Sequence, residues 1–198
     1  IREKIKALTL SNSKHEIALW SLHVPKHEKK EFSETDFIII ARQGICCIEV
    51  KGGRVSYVNG VFIFTNRYGN ISQKKEGPIQ QVAGNKKAIQ TAIRDDLNLY
   101  PCMAHCVVMP DCEWDRDNDE LTYNGEPNLI LDITGYHDDP LWFENFIKKV
   151  FRQFREHPSY SRSKDLSDEE LIKIQKYLRK RVVGIIPLID TAKDTDKM

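Results

Sequence analysis

Apolar residues along this chain fall either into short unbroken runs or into stripes at helical spacing, and the two patterns predict different elements. The runs Glu16–Val24, Thr35–Ala41 and Ile45–Gly52 read as strands, the last two joined by a short Arg42-Gln43-Gly44 turn. Two shorter strands, 54–58 and 61–64, flank Asn59-Gly60, a pair that marks a tight hairpin because both residues tolerate a left-handed backbone. Residues 103–109 read as another core strand, closed by Pro110-Asp111, and residues 128–132 as a short one. Helical spacing appears in four places. Residues 1–10 carry Ile1, Ile5 and Leu8 on one side. A helix opens at Pro78 and runs to about Asp96, with Ile79, Val82, Ala83, Ile89 and Ile93 as its stripe. Residues 139–156 place Leu141, Phe143, Phe146, Ile147, Val150, Phe151 and Phe154 along one face. A last helix starts at Ser167-Asp168-Glu169-Glu170, a capping-box arrangement, and runs to about Val182. Residues 66–77 and 157–166 are polar and read as connections, and the tail beyond Asp190 as loose chain.

Size and composition narrow the class. A chain of 198 residues, 40% hydrophobic and 30% charged, fits one soluble domain or one domain with an appendage. No apolar run approaches the roughly 20 residues of a membrane span. The formal net charge of +1 hides an asymmetry. Residues 111–144 are acidic, whereas basic residues gather at Lys26, Lys29 and Lys30, at Arg67, Lys74, Lys75, Lys86 and Lys87, and from Lys148 to Arg181. A near-neutral total is compatible with nucleic-acid binding, because the local patch governs affinity. The alternative for each cluster is an ordinary solvated face. The five cysteines lack paired CxxC spacing; Cys46 and Cys47 lie inside an apolar strand, where cysteine acts as a small hydrophobe. Reduced thiols in a cytoplasmic protein are the expectation. A cysteine-metal site built from Cys102, Cys106 and Cys112 is the competing one. His23 and His27 are four apart, but Pro25 between them argues against a shared helical face, so both read as surface residues.

The chemistry concentrates in Ile48-Glu49-Val50-Lys51-Gly52-Gly53. In a strand, residues i and i+2 share a face, so Glu49 and Lys51 project together while Val50 points away. Asp36 begins the preceding strand. Two acids and a lysine at the end of a buried sheet need a partner, and a divalent metal is the obvious one. The plainer readings are an exposed ion pair for Glu49 and Lys51, a turn cap for Asp36, and an ordinary first-turn polar residue for Gln81.

The order of these elements resembles the PD-(D/E)XK restriction-endonuclease-like nucleases, and within them the nuclease-related domain (NERD) family. The resemblance runs from Asp36-Phe37-Ile38-Ile39-Ile40 through Gly44-Ile45 and Ile48-Glu49-Val50-Lys51-Gly52-Gly53. It continues with Pro78-Ile79-Gln80-Gln81, Val107-Val108-Met109-Pro110-Asp111 and Leu131-Asp132. It implies an α/β fold: a central mixed β-sheet flanked by helices, with residues 1–135 as the nuclease core and residues 136–198 as a helical extension. It also implies site roles. Asp36 and Glu49 would be the metal-binding carboxylates, the Val50 carbonyl a backbone ligand, Lys51 the catalytic lysine and Gln81 the helix-borne glutamine. Glu3 is the candidate for an additional first-helix acid by position, with Glu16 as its rival.

The expected function is a Mg²⁺-dependent nuclease, with Mn²⁺ as a substitute, hydrolysing DNA phosphodiester bonds with little sequence specificity. Lys26, Lys29, Lys30, Arg67, Lys74 and Lys75 would contact phosphates, which positions a strand without reading its bases. Members of this family are often joined to helicases, so a fused or associated helicase is an expected partner, in DNA repair or antiphage defence. The chain has no GxxxxGK[ST] loop of its own. The alternative function is a catalytically inactive nucleic-acid-binding or docking module with the same fold.

Overall fold

A computed structural model describes residues 1–11, 13–24, 33–114, 126–127, 129–136, 139, 141–160 and 162–188. The long apolar runs become the inner strands of one sheet. β1 (Ile17–Val24), β2 (Ser33–Ala41) and β3 (Gly44–Val50) form an antiparallel meander. Ile38 to Ala41 and Ile45 to Ile48 are all fully buried, as unbroken apolar runs require when both faces of a sheet are covered. Beyond β3 come β4 (Arg54–Val58), β5 (Val61–Thr65) and β6 (Ile71–Lys74), a separate three-stranded antiparallel wing. The β4–β5 turn is made by Asn59 and Gly60, both at positive φ (51° and 79°), which the hairpin signal demands. α2 (Pro78–Leu97), which follows the short first helix α1 (Arg2–Lys6), then leads to β7 (Met103–Met109), which pairs in parallel with β3. β8 (Ile130–Asp132) adds in parallel to β7. After α3 (Trp142–Glu156) and α4 (Asp168–Leu178), β9 (Val182–Pro187) returns to pair antiparallel with β1. The result is a mixed six-stranded sheet in the order β8-β7-β3-β2-β1-β9, flanked by helices: an α/β protein of the restriction-endonuclease-like kind.

Most of the helical stripe residues are buried as their spacing predicts; Leu141, which precedes α3 and is 52% exposed, and Phe146, only partly buried, are the exceptions. Ile79, Val82, Ala83, Ile89 and Ile93 of α2 are buried against β3 and β7. Phe143, Ile147, Val150, Phe151 and Phe154 of α3 are buried as well. The capping box at the start of α4 forms reciprocally: Glu170 N donates to Ser167 Oγ (3.2 Å) and Ser167 N to Glu170 Oε2 (2.8 Å).

Three elements differ from the sequence reading. The first helix spans only Arg2–Lys6; Leu8 and Leu10 are buried from non-helical chain instead. The segment read as a loop over 66–77 contains β6, whose four residues are all exposed and held by backbone pairing to β5, so no apolar alternation announces it. The last helix ends at Leu178 rather than near Val182, and Val182-Val183-Gly184-Ile185-Ile186-Pro187 is the edge strand β9. Its β-branched composition favours a strand over a helical end.

Candidate active site

Strand register alone assembles the centre of the site. Phe37 pairs with Ile48 and Ile38 with Cys47, so the same register sets Asp36 opposite Glu49, on the face that Lys51 shares. β2 and β3 cease to pair beyond Phe37 and Ile48, and the Asp36 side chain takes over the next rung: its Oδ2 accepts a 2.7 Å hydrogen bond from Val50 N. In a strand the N–H and C=O of one residue leave by the same edge, so the Val50 carbonyl faces the side where Asp36 lies. α2 crosses this face with its first turn at the site. Lys51 Nζ donates to Glu49 Oε1 and, at 3.0 Å, to Gln81 Oε1. The structure therefore brings together Asp36, Glu49, Val50, Lys51 and Gln81.

Two glycines hold the elements around it. Gly53 turns the chain out of β3 at φ 82°; a Cβ there would stand 2.1 Å from the Thr65 carbonyl oxygen, and its N–H donates to Asp111 Oδ2 (2.8 Å). Gly77, the residue before α2, lies under the Phe62 ring, where a Cβ would come within 2.4 Å. That close approach fastens the β4–β6 wing to the first turn of α2.

Burial sets the electrostatics. Glu49 is 3% exposed, and burial raises its pKa to about 7 despite the opposing charge of Lys51. Burial also raises the Asp36 pKa, against the lowering effects of the Val50 N–H and the Lys51 ammonium. Glu49 Oε2 is buried and has no hydrogen-bond partner among the described residues. A carboxylate oxygen in that position fits a cation, and carboxylate plus carbonyl oxygens suit a hard divalent ion such as Mg²⁺ or Mn²⁺.

Not all the expected residues converge. Glu3 is exposed on α1 and pairs with Lys6 at 2.8 Å. Glu16, its rival, is buried at the other end of β1, accepting from Ser11 Oγ (2.8 Å) and Arg42 N (2.9 Å). It lies level with Ala41, about 16 Å along β2 from Asp36 at 3.3 Å per residue. Lys26, Lys29 and Lys30, with His27, lie outside the described residues, as do most of the acidic 111–127 segment and the tail beyond Asp190. Arg67 occupies the exposed 66–70 turn, its guanidinium 4.8 Å over the Tyr68 ring, and Lys75 is exposed beyond β6. Lys74 approaches the site. Its ammonium and that of Lys51 each lie 5.8 Å from the Phe64 ring, and its charge acts on Glu49.

Sequence reasoning missed Phe64, Ser21, Glu34 and Asn85. Ser21 interrupts β1 opposite Asp36 at φ 56°, and its hydroxyl donates to Glu34. Asn85 of α2 donates to the Glu34 carbonyl at 3.0 Å, tying the helix to β2 beside the site. Asn85 could have been found: it lies four residues after Gln81 and so on the same side of α2. Ser21 carries no comparable signal. Of the cysteines expected as a metal site, Cys102 and Cys106 are buried, and burial pushes the Cys102 thiol up to about 12. Among the described residues no three His, Cys, Asp or Glu side chains are grouped to hold a metal ion. No described helix is long and apolar enough to cross a membrane.

The family described as the nuclease-related domain (NERD) matches residues 1–110, a span that contains Asp36, Glu49, Lys51 and Gln81. No curated protein and no solved structure shows a significant match to the chain.

Proposed function

The chain belongs to the nuclease-related domain family, and from that premise we propose that it is a metal-dependent nuclease hydrolysing DNA phosphodiester bonds with little sequence specificity. One observation carries the reading. Lys51 Nζ is held between Glu49 Oε1 and Gln81 Oε1, while the second oxygen of Glu49 is buried without a partner opposite Asp36. An ordinary surface ion pair would leave both carboxylate oxygens to water.

Asp36, Glu49 and the Val50 carbonyl are the residues that would hold Mg²⁺ or Mn²⁺. Such an ion, when bound, lowers the pKa of its water and offsets charge at the scissile phosphate. The protein's own groups do the rest. Lys51 presents a fixed positive charge to the oxygens that gain negative charge in the transition state. Gln81 fixes that ammonium and leaves its amide N–H₂ free to orient a water without adding charge. Lys74, Arg67 and Lys75 on the wing side, with Lys26, Lys29 and Lys30, would contact backbone phosphates. We assign this chemistry to residues 1–135; the remainder of the described chain adds α3, α4 and β9, the last being an edge strand of the same sheet. A fused or associated helicase would deliver the strand.

The test is cleavage of plasmid and linear DNA in Mg²⁺ or Mn²⁺, beside a Glu49→Ala/Lys51→Ala control. Metal-dependent loss of substrate with the parent protein alone supports the proposal; equal cleavage by both proteins refutes it. A second reading, an inactive nucleic-acid-binding or docking module, is favoured because among the described residues no third acid joins Asp36 and Glu49 in a group able to hold a metal ion; the neighbouring Glu34 accepts from Ser21 instead. Salt-sensitive DNA binding with no cleavage, also in the presence of a helicase partner, would select it.

A further inference from the structure

A second concave site lies on the other flank of α2. Lys87, Gln90 and Arg94 follow at i, i+3 and i+7 and so share one helical face, turned away from Gln81. They line a cavity of about 370 Å³ together with Tyr100, ahead of β7, and with Tyr160 and Arg162, beyond α3. The helix, the turn that follows it and the segment beyond α3 thus contribute three cations and two aromatic rings to one depression.

Its floor is rigid. Tyr160 is 5% exposed, with its hydroxyl 3.3 Å from Lys86 Nζ and 3.4 Å from Glu126 Oε1. Lys86, 2% exposed, closes an ion pair with Glu126 (2.5 and 2.6 Å) and lies 5.2 Å from the Phe154 ring. That buried pair satisfies itself and leaves the rim charges to act outward. Among the described residues Lys87 and Arg162 make no ion pair. Arg94 gives its Nε to Asp95 (2.8 Å), a contact that uses one of its three guanidinium nitrogens. The other nearby acid, Asp96, accepts from the Tyr177 hydroxyl of α4. Tyr100 is 70% exposed, an aromatic face standing in water beside Arg94.

Cations around a pocket with an exposed ring recognise a phosphate linked to a flat, stackable group. We propose that this cavity binds a nucleotide unit: phosphate against Lys87, Arg94 and Arg162, base on Tyr100. The unit is either part of a single strand or a free mononucleotide. For a strand, the distance matters. Arg94 is about 20 Å along α2 from Gln81 at 1.5 Å per residue, a span of several nucleotides of strand. The site would then hold nucleic acid several nucleotides away from the point of cleavage. The inference does not depend on the nuclease reading, since it concerns binding alone.

The test uses the full chain carrying Glu49→Gln, in EDTA, so that binding is read without cleavage. The probe is a fluorescein-labelled ten-nucleotide oligothymidylate, followed by anisotropy over a salt series. Lys87→Ala/Arg94→Ala/Arg162→Ala should weaken binding at least about tenfold and flatten the slope of log K against log salt by about 2. Tyr100→Ala should weaken it about fivefold or more, and Tyr100→Phe, which keeps the ring, should bind like the parent. Lys87, Arg94, Arg162 and Tyr100 are all exposed and none packs into the core, and circular dichroism checks the fold of each variant. Competition by millimolar thymidine 5′-monophosphate identifies the mononucleotide as sufficient; binding of the oligonucleotide without such competition identifies the strand. The proposal is overturned if the triple variant and Tyr100→Ala bind within about twofold of the parent. It is equally overturned if Lys148→Ala/Lys149→Ala/Arg152→Ala, on the exposed side of α3, weakens binding as much.

Discussion

Glu49 is the residue on which the site's electrostatics turn. Folding raises its pKa from 4.5 to about 7 because burial disfavours the carboxylate more than Lys51 favours it. The folded, metal-free chain therefore retains a proton that the unfolded chain releases. Stability is complete below about pH 4.5 and declines as the pH rises through about 7, by up to about 3 kcal/mol for full ionisation. Glu49→Gln removes that penalty while keeping an acceptor for Lys51. It should stabilise the metal-free protein by about 1–3 kcal/mol at pH 8 and leave it unchanged near pH 4, as read from urea midpoints. An unchanged midpoint at pH 8 would mean that Glu49 is ionised and satisfied without a cation. The same substitution should abolish Mn²⁺ binding measured by calorimetry in the parent, because one of the two carboxylates is lost. The pairing of Glu49 with Lys51 was legible in the sequence because period-2 geometry needs no tertiary information. The orphaned Glu49 oxygen was not, since it depends on how α2 closes over the strand.

At the scale of elements, the site is a junction of β2, β3, the β4–β6 wing and the first turn of α2, and two glycines keep that junction closed. Gly53→Ala would combine a left-handed backbone with a Cβ only 2.1 Å from a main-chain oxygen. It should lower stability by more than about 2 kcal/mol, seen as a shifted thermal midpoint. Gly77→Ala meets the Phe62 ring instead. The ring can be removed, so Phe62→Leu should partly restore a Gly77→Ala protein; a double variant no more stable than Gly77→Ala would contradict the proposed contact. Strong local signals located most of these elements: Asn59-Gly60 for the hairpin, Pro78 for the helix start, and the Ser167 capping box. β6 and β9 escaped for different reasons. β6 buries nothing and is held by backbone pairing alone, so its polar side chains carry no pattern. β9 directly follows a helix whose periodicity blends into its apolar residues, and only its pairing with β1 separates them.

Over the whole molecule, β9 closes the sheet on β1. β9 covers the edge of β1, with Trp20 packed over Gly184 and Ile186 buried. Deleting residues 182–188 would bare the β1 edge and its apolar face, so the shortened chain should lose its cooperative thermal transition or aggregate on gel filtration. Native-like melting would show that the sheet stands without its last strand. This return of the C-terminal segment to the sheet links it mechanically to the strands that carry Asp36 and Glu49, a connection no local motif announces. The chain also separates its charges. The proposed catalytic face gathers Lys51 and Lys74, and the opposite flank of α2 gathers Lys87, Arg94 and Arg162. The central claim is that Asp36, Glu49 and Lys51 form one metal-dependent cleavage centre. Its most direct test is the single-turnover rate of strand scission on an end-labelled DNA in Mn²⁺, compared among the parent, Asp36→Asn, Glu49→Gln and Lys51→Ala. The parent should cleave, EDTA should abolish that cleavage, and each substitution should slow it at least about a hundredfold. Cleavage that persists undiminished in the three variants, or a parent protein that never exceeds the uncatalysed rate, would contradict it.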